Sequence, residues 1–291
     1  MCDEQTINDW EKYLKNKPVS RRKFNALTAG ASLAAALPSI ANAQRLTNGP
    51  VQIRTPDGIA DCYMAHPPDG SYPGIIMWTD ILGLRPAFME MGLRLAARGY
   101  AVLVPNPFYR SAAAPVVSEG ASFQDQDVRE KVLPMAGELS AETHVTDANA
   151  FVDYLDRHGA VNSNRSIGTL GYCMGGPMVM RTASARPDRI GAAAIFHGGG
   201  LATDADNSPH RQISEMNAQF LIAIAENDDA NDPQAKNTLR ETFDASGLNA
   251  EIEVYSGAQH GWTVTDSRAY LEGQAEQAWS RLLALLQDAL D

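Results

Sequence analysis

Cysteine is scarce in this chain: Cys2, Cys62 and Cys173 are the only thiols among 291 residues. No two of them stand in C-x-x-C spacing, so neither a zinc knuckle nor a thioredoxin-like dithiol is supported, and three thiols in so long a chain do not make a disulfide framework. Positive charge is short as well. The 24 Lys and Arg face 35 Asp and Glu, a formal net charge of −11, which gives the chain no bulk attraction for nucleic acid or an anionic membrane. Beyond residue 43 no stretch approaches the ~18 unbroken apolar residues of a membrane span. What is present is ordinary globular material, 44% hydrophobic and 20% charged, enough to bury a substantial core.

The first 43 residues read as an address. Arg21-Arg22-Lys23 precedes an Ala-rich, mildly apolar run that ends in Ala41-Asn42-Ala43, the order of cationic region, apolar region and small-x-small cleavage site found in export signals. Ser20-Arg21-Arg22-Lys23-Phe24 resembles the twin-arginine signal, which hands a folded protein to the twin-arginine export machinery. The apolar run is too short and too rich in alanine to hold a membrane stably. The expected organisation is a signal peptide over residues 1–43 and one domain over 44–291, soluble after cleavage and located in the periplasm or outside the cell.

After residue 43, strand-like and helix-like patterns alternate. VQIRTP and ADCYMAHP read as a hairpin around Asp57-Gly58; GIIMWT, YAVLVPN, SIGTLGYC, GAAAIFHG, AQFLIAIA and AEIEVYSG read as buried strands. Helices are expected at 86–98, opening on Pro86, at 142–158, at about 233–246 and at 267–290, with another after Cys173. Residues 107–141 have weak periodicity and are expected to be a long excursion over the functional face. The pattern predicts an α/β fold, a mostly parallel sheet with helices on both faces.

The segment Gly171-Tyr172-Cys173-Met174-Gly175-Gly176 carries the chemistry. G-x-C-x-G between a strand and a helix is the nucleophile-elbow pattern with sulfur in place of the serine oxygen. The turn is so tight that only small residues fit two before and two after the nucleophile, and the following helix aims its N-terminal N–H groups at the thiol. In this order of elements the acid and then the base follow the nucleophile. His260, in Gly257-Ala-Gln-His-Gly261, lies in a loop at the end of a strand. In Glu226-Asn-Asp228-Asp229-Ala-Asn-Asp232-Pro233, Asp228 is the preferred orienting acid, with Asp229 and Asp232 behind it; Asp232 before a proline also suits a helix cap. The stretch lacks the glycine and terminal glutamate of a calcium loop. His197-Gly-Gly-Gly200 looks like the oxyanion motif of lipases but falls on the wrong side of the nucleophile, leaving His197 as a pocket wall or a structural residue.

Taken together, GIIMWTDILGL, YAVLVPNPFYR, GYCMGG, IAENDDANDP and GAQHGW make the chain resemble the dienelactone hydrolase family, α/β-hydrolases with a Cys–Asp–His triad. The resemblance implies Cys173, Asp228 and His260 as that triad, and the backbone N–H groups of Ile81 and Met174 as an oxyanion hole. It also implies Asp80 as an acid that contacts and modulates the thiol, where the family carries glutamate. Trp78, Arg110, Tyr172, His197 and Trp262 are candidates for the substrate pocket. Family members hold a substrate carboxylate with arginines, one of them shortly after the histidine. Val264 stands there in this chain, leaving Arg110 or Arg129 to supply a cation. The implied activity is cleavage of small esters or lactones through a thioester, with no cofactor and no metal. An acyltransferase with the same triad and a binding protein on the hydrolase scaffold are the alternatives. Replacing Arg21 and Arg22 by lysine should abolish export; a processed product still found in the periplasmic fraction would exclude the twin-arginine reading of residues 1–43.

Overall fold

The computed structural model describes residues 46–290; the expected signal peptide lies outside them. The hairpin forms where alternation placed it. β1 (Thr47–Thr55) pairs antiparallel with β2 (Gly58–His66), turning at Pro56-Asp57. The remaining strands are β3 (Gly74–Trp78), β4 (Ala101–Pro105), β5 (Ile167–Tyr172), β6 (Ile190–Phe196), β7 (Gln219–Ala225) and β8 (Ala250–Tyr255). They join the hairpin in one eight-stranded sheet of order β1-β2-β4-β3-β5-β6-β7-β8, antiparallel at β1-β2 and β2-β4 and parallel from β4 onward.

Strand β3 shows how the sheet is covered. Its side chains alternate between faces: Ile75 and Met77 enter one apolar cluster, Ile76 and Trp78 the other. The first cluster is closed by α1 (Pro86–Ala96) and the C-terminal helix α7 (Glu272–Leu290). The second is closed by α3 (Ala141–Arg157), α4 (Gly175–Ala185) and α6 (Ala235–Ser246). The C-terminal ends of β3, β5, β6, β7 and β8 therefore open on one edge, the edge at which parallel sheets carry their sites.

One expectation needs correction. The excursion after β4 contains a helix, α2 (Gln126–Gly137), despite Pro134 inside it. Its buried Val128, Val132 and Met135 pack with Phe108, Val116, Ile81 and Leu82, a short apolar stripe whose signal the surrounding polar residues dilute. The acidic stretch after β7, to which the sequence pattern assigned no element, is a short helix, α5 (Glu226–Asn231). Helix α3 keeps its expected length but lies one residue earlier, starting at a capping box formed by Ser140 and Thr143, while α1 and α7 are each shorter at one end than their patterns suggested.

Candidate active site

Cys173 sits between β5 and α4 with φ of 53°, one of only two non-glycine residues with positive φ among those described. A side chain other than hydrogen pays steric strain in that region, and the surroundings enforce it. A Cβ on Gly171 would stand 2.5 Å from the Gly175 carbonyl oxygen, and one on Gly175 would stand 2.9 Å from the backbone oxygens of Trp78 and Thr79. The amide of Cys173 donates to the Phe196 carbonyl at 3.0 Å, which fastens the turn to the neighbouring strand. Met174 directly precedes α4, so the sulfur lies at the positive end of that helix. Among the described residues neither the Ile81 nor the Met174 amide donates to a backbone or side-chain acceptor.

The loop after β8 brings His260 to the thiol. Asn227 accepts from the His260 amide at 2.8 Å, and the Ala258 carbonyl accepts from the Glu226 amide at 2.9 Å, so α5 and the histidine loop hold each other. His260 Nδ1 lies 2.8 Å from Asp228 Oδ2. The imidazole also forms a side-chain hydrogen bond with Cys173. The other two acids are engaged elsewhere: Asp229 pairs with Lys236 at 2.5 Å, and Asp232 accepts from the Ala235 amide at the start of α6. Burial works against a charged His260, but the adjacent Asp228 carboxylate and the Cys173 sulfur outweigh it and hold the imidazole well above its ordinary pKa. The edge of His197 meets this ring, centroid to centroid 4.9 Å. Burial, reinforced by the charge of His260, pushes His197 well below its ordinary pKa and keeps it neutral.

Cys173, His260 and His197 line a cavity of about 130 Å³. Ile81, Leu82 and Arg85 form one wall. Gly120 to Gln124 of the excursion, and Asp266 to Ala269, form the others. Arg129 lies behind the excursion wall and donates to the Phe123 and Gln124 carbonyls, pinning that segment without entering the cavity. Among the described residues no group of three or more His, Cys, Asp or Glu side chains is gathered as metal ligands, and no helix is long and apolar enough to cross a membrane.

Comparison with known proteins gives the family and the fold. The family model for the dienelactone hydrolase family matches residues 60–290. The chain belongs to the dienelactone hydrolase family. It is thereby a carboxylic ester hydrolase by class. A Salmonella typhi protein named "Putative carboxymethylenebutenolidase" is 24% identical over 253 residues, covering 80% of this chain and 90% of that one. A Klebsiella pneumoniae crystal structure named "Putative Dienelactone Hydrolase" has a TM-score of 0.72 at 22% identity, covering 84% of this chain and 99% of its own. A dienelactone hydrolase-like promiscuous phosphotriesterase from metagenomic libraries has a TM-score of 0.70 at 17% identity, with the same coverage. The last two show the fold.

Against the pattern implied by the family, several positions differ. Asp80 lines the cavity, but both its oxygens are held by Arg85, at 2.7 and 2.9 Å, and one also accepts from the Leu82 amide. It is therefore a carboxylate anchored at the cavity wall. Val264 is fully buried and places no cation after the histidine. Arg110 is not in the cavity: it is clamped by Asp147 and Asp57 over the Tyr109 ring. Trp78 is in the core with its Nε1 donating to Thr169 at 3.2 Å, and Tyr172 stacks on Phe196 at 5.0 Å. Trp262 is buried behind His197, 5.3 Å away between ring centroids. Strand alternation explains Trp78 and Tyr172, since large aromatic side chains at a strand's end still fall on one face or the other. Of the proposed pocket residues, His197 alone lines the cavity. Arg85, Asn227, Asp266 and Arg268 were missed. Arg85 and Asp266 stand 181 residues apart and meet only in the fold, so no local motif marks them; Asn227 stood beside the chosen acid and was the one within reach of sequence reasoning.

Because the Asp228 carboxylate raises the pKa of His260, Asp228→Asn should lower it. Less imidazolium then means less paired thiolate, so alkylation of Cys173 by iodoacetamide near about pH 6 should slow by roughly tenfold, and the alkaline limb of kcat/KM should move to lower pH. An alkylation profile unchanged from wild type would remove Asp228 from this role.

Proposed function

We propose that the protein hydrolyses small-molecule esters or lactones through a thioester on Cys173, with His260 as acid and base and Asp228 orienting it. The observation that carries this reading is the continuous contact chain from Asp228 through His260 to a strained, cavity-facing Cys173.

In the first half-reaction the Cys173 thiolate attacks the substrate carbonyl carbon, forming a C–S bond and an oxyanion. The Ile81 and Met174 amides are the donors for that oxygen, each worth about 3 kcal/mol in the transition state. As the intermediate collapses, the C–O bond to the leaving group breaks and imidazolium His260 gives the alkoxide its proton. The neutral imidazole then takes a proton from water, and the hydroxide attacks the thioester. The C–S bond breaks, the acid is released, and the thiolate–imidazolium pair is restored. Asp228 stays ionised throughout, fixing the tautomer and favouring the cation. Thiolate is a good leaving group, which suits activated oxygen esters and lactones better than amides. A neutral His197 beside His260 offers no competing charge. No step needs a metal or an organic cofactor. The proposed place of action is the periplasm or the exterior, reached through the leader at residues 1–43.

Cys173→Ala should reduce kcat/KM for p-nitrophenyl acetate by on the order of 10³-fold while leaving the melting temperature near that of wild type. Activity within about threefold of wild type in a folded variant would reject the mechanism and favour a binding role for the scaffold.

A further inference from the structure

Resting on the ester-hydrolase reading above, we infer that this cavity selects substrates with an uncharged acyl group and discriminates against those carrying a carboxylate. The cation buried in the wall is Arg85, whose side chain is 6% exposed. A guanidinium has five N–H donors and no more. Here Nη1 donates to Asp80 Oδ1 at 2.7 Å and to the Gly83 carbonyl at 3.2 Å. Nη2 donates to Asp80 Oδ2 and to Asp266 Oδ1, both at 2.9 Å. Nε donates to Asp266 Oδ2 at 2.7 Å. Every donor is taken, four by two carboxylates and one by the Gly83 carbonyl.

Two consequences follow. A substrate carboxylate finds no free N–H on Arg85, and to gain one it must displace Asp266, which the chain holds in place at high effective concentration. The wall itself is also net negative, since one cation sits between two anions, and an anion brought into a partly desolvated site beside it is repelled. Arg268, the other arginine lining the cavity, is at the exposed rim. Its side chain is 52% accessible and faces Asp125 and Gln124 at 3.4 and 3.3 Å, where solvent screens its charge. Val264 supplies none. An uncharged acyl chain meets Ile81, Leu82, Ala121 and Phe123 at no such cost.

The test compares p-nitrophenyl hydrogen glutarate with p-nitrophenyl methyl glutarate, which differ in one charge and little in size, reading p-nitrophenol release after subtracting the spontaneous rate. The wild-type protein should favour the methyl ester by about tenfold or more in kcat/KM. Asp266→Ala, which gives two donors back to Arg85, should move that ratio toward the carboxylate probe by about tenfold; Asp266→Asn, which removes the charge alone, should move it in the same direction by less and serves if the alanine variant does not fold. Equal or better turnover of the carboxylate probe by wild type would overturn the inference, as would a ratio that stays put in a folded Asp266 variant. Failure of the underlying reading looks different: Cys173→Ala would then hydrolyse both probes at the wild-type rate.

Discussion

The whole site depends on a backbone-to-backbone approach at one turn. Gly171 and Gly175 come so close that neither can carry a methyl group, and Gly175 is pressed in turn against the carbonyls at the end of β3. That crowding holds Cys173 at φ of 53°, and only there does its sulfur face the cavity at the start of α4. Strain of about 1–3 kcal/mol at such a residue persists only where the surroundings over-determine it. The parallel pairing of β5 with β3 and β6 supplies that determination. The strands are structural, but their ends are what aim the nucleophile.

Two chains of charge meet at the cavity, and they solve different problems. Asp228, His260 and Cys173 alternate in sign when the pair is ionised, so each buried charge has an opposite neighbour and burial becomes tolerable. Asp80, Arg85 and Asp266 obey the same rule with the cation in the middle. The first chain has a reactive end facing the cavity. The second has none, because its central cation is saturated. It ties the segment containing Ile81 to the loop that follows His260, so the proposed oxyanion donor and the proposed base are held to one another across the cavity.

The layered fold was legible in the chain because short apolar runs still mark strands in which every residue is buried, as in β3 and β5. Cys173 and His260 were legible because each lies in a local glycine-bounded pattern with its own steric logic. Choosing among Asp228, Asp229 and Asp232 needed three dimensions: all three are acids on one short segment, and only the turn of α5 decides that Asp228 meets the imidazole while Asp229 meets Lys236. Helix α2 was hidden by Pro134 and by its narrow apolar stripe. The pocket lining was the least legible part. Trp78, Tyr172 and Trp262 read as pocket aromatics by position in the chain, yet side-chain direction at a strand's end turned the first two into core, the turn after β8 buried Trp262 behind His197, and the walls came instead from the excursion and from residues 266–269.

The central claim is that a covalent acyl group passes through the sulfur of Cys173. Acid quenching within the first turnover with p-nitrophenyl acetate, followed by peptide mass spectrometry, tests it most directly. The account predicts one acetyl group on the peptide that contains Cys173, removed by neutral hydroxylamine. Turnover that continues with no acetyl on that peptide, or with the group on another residue, would contradict it.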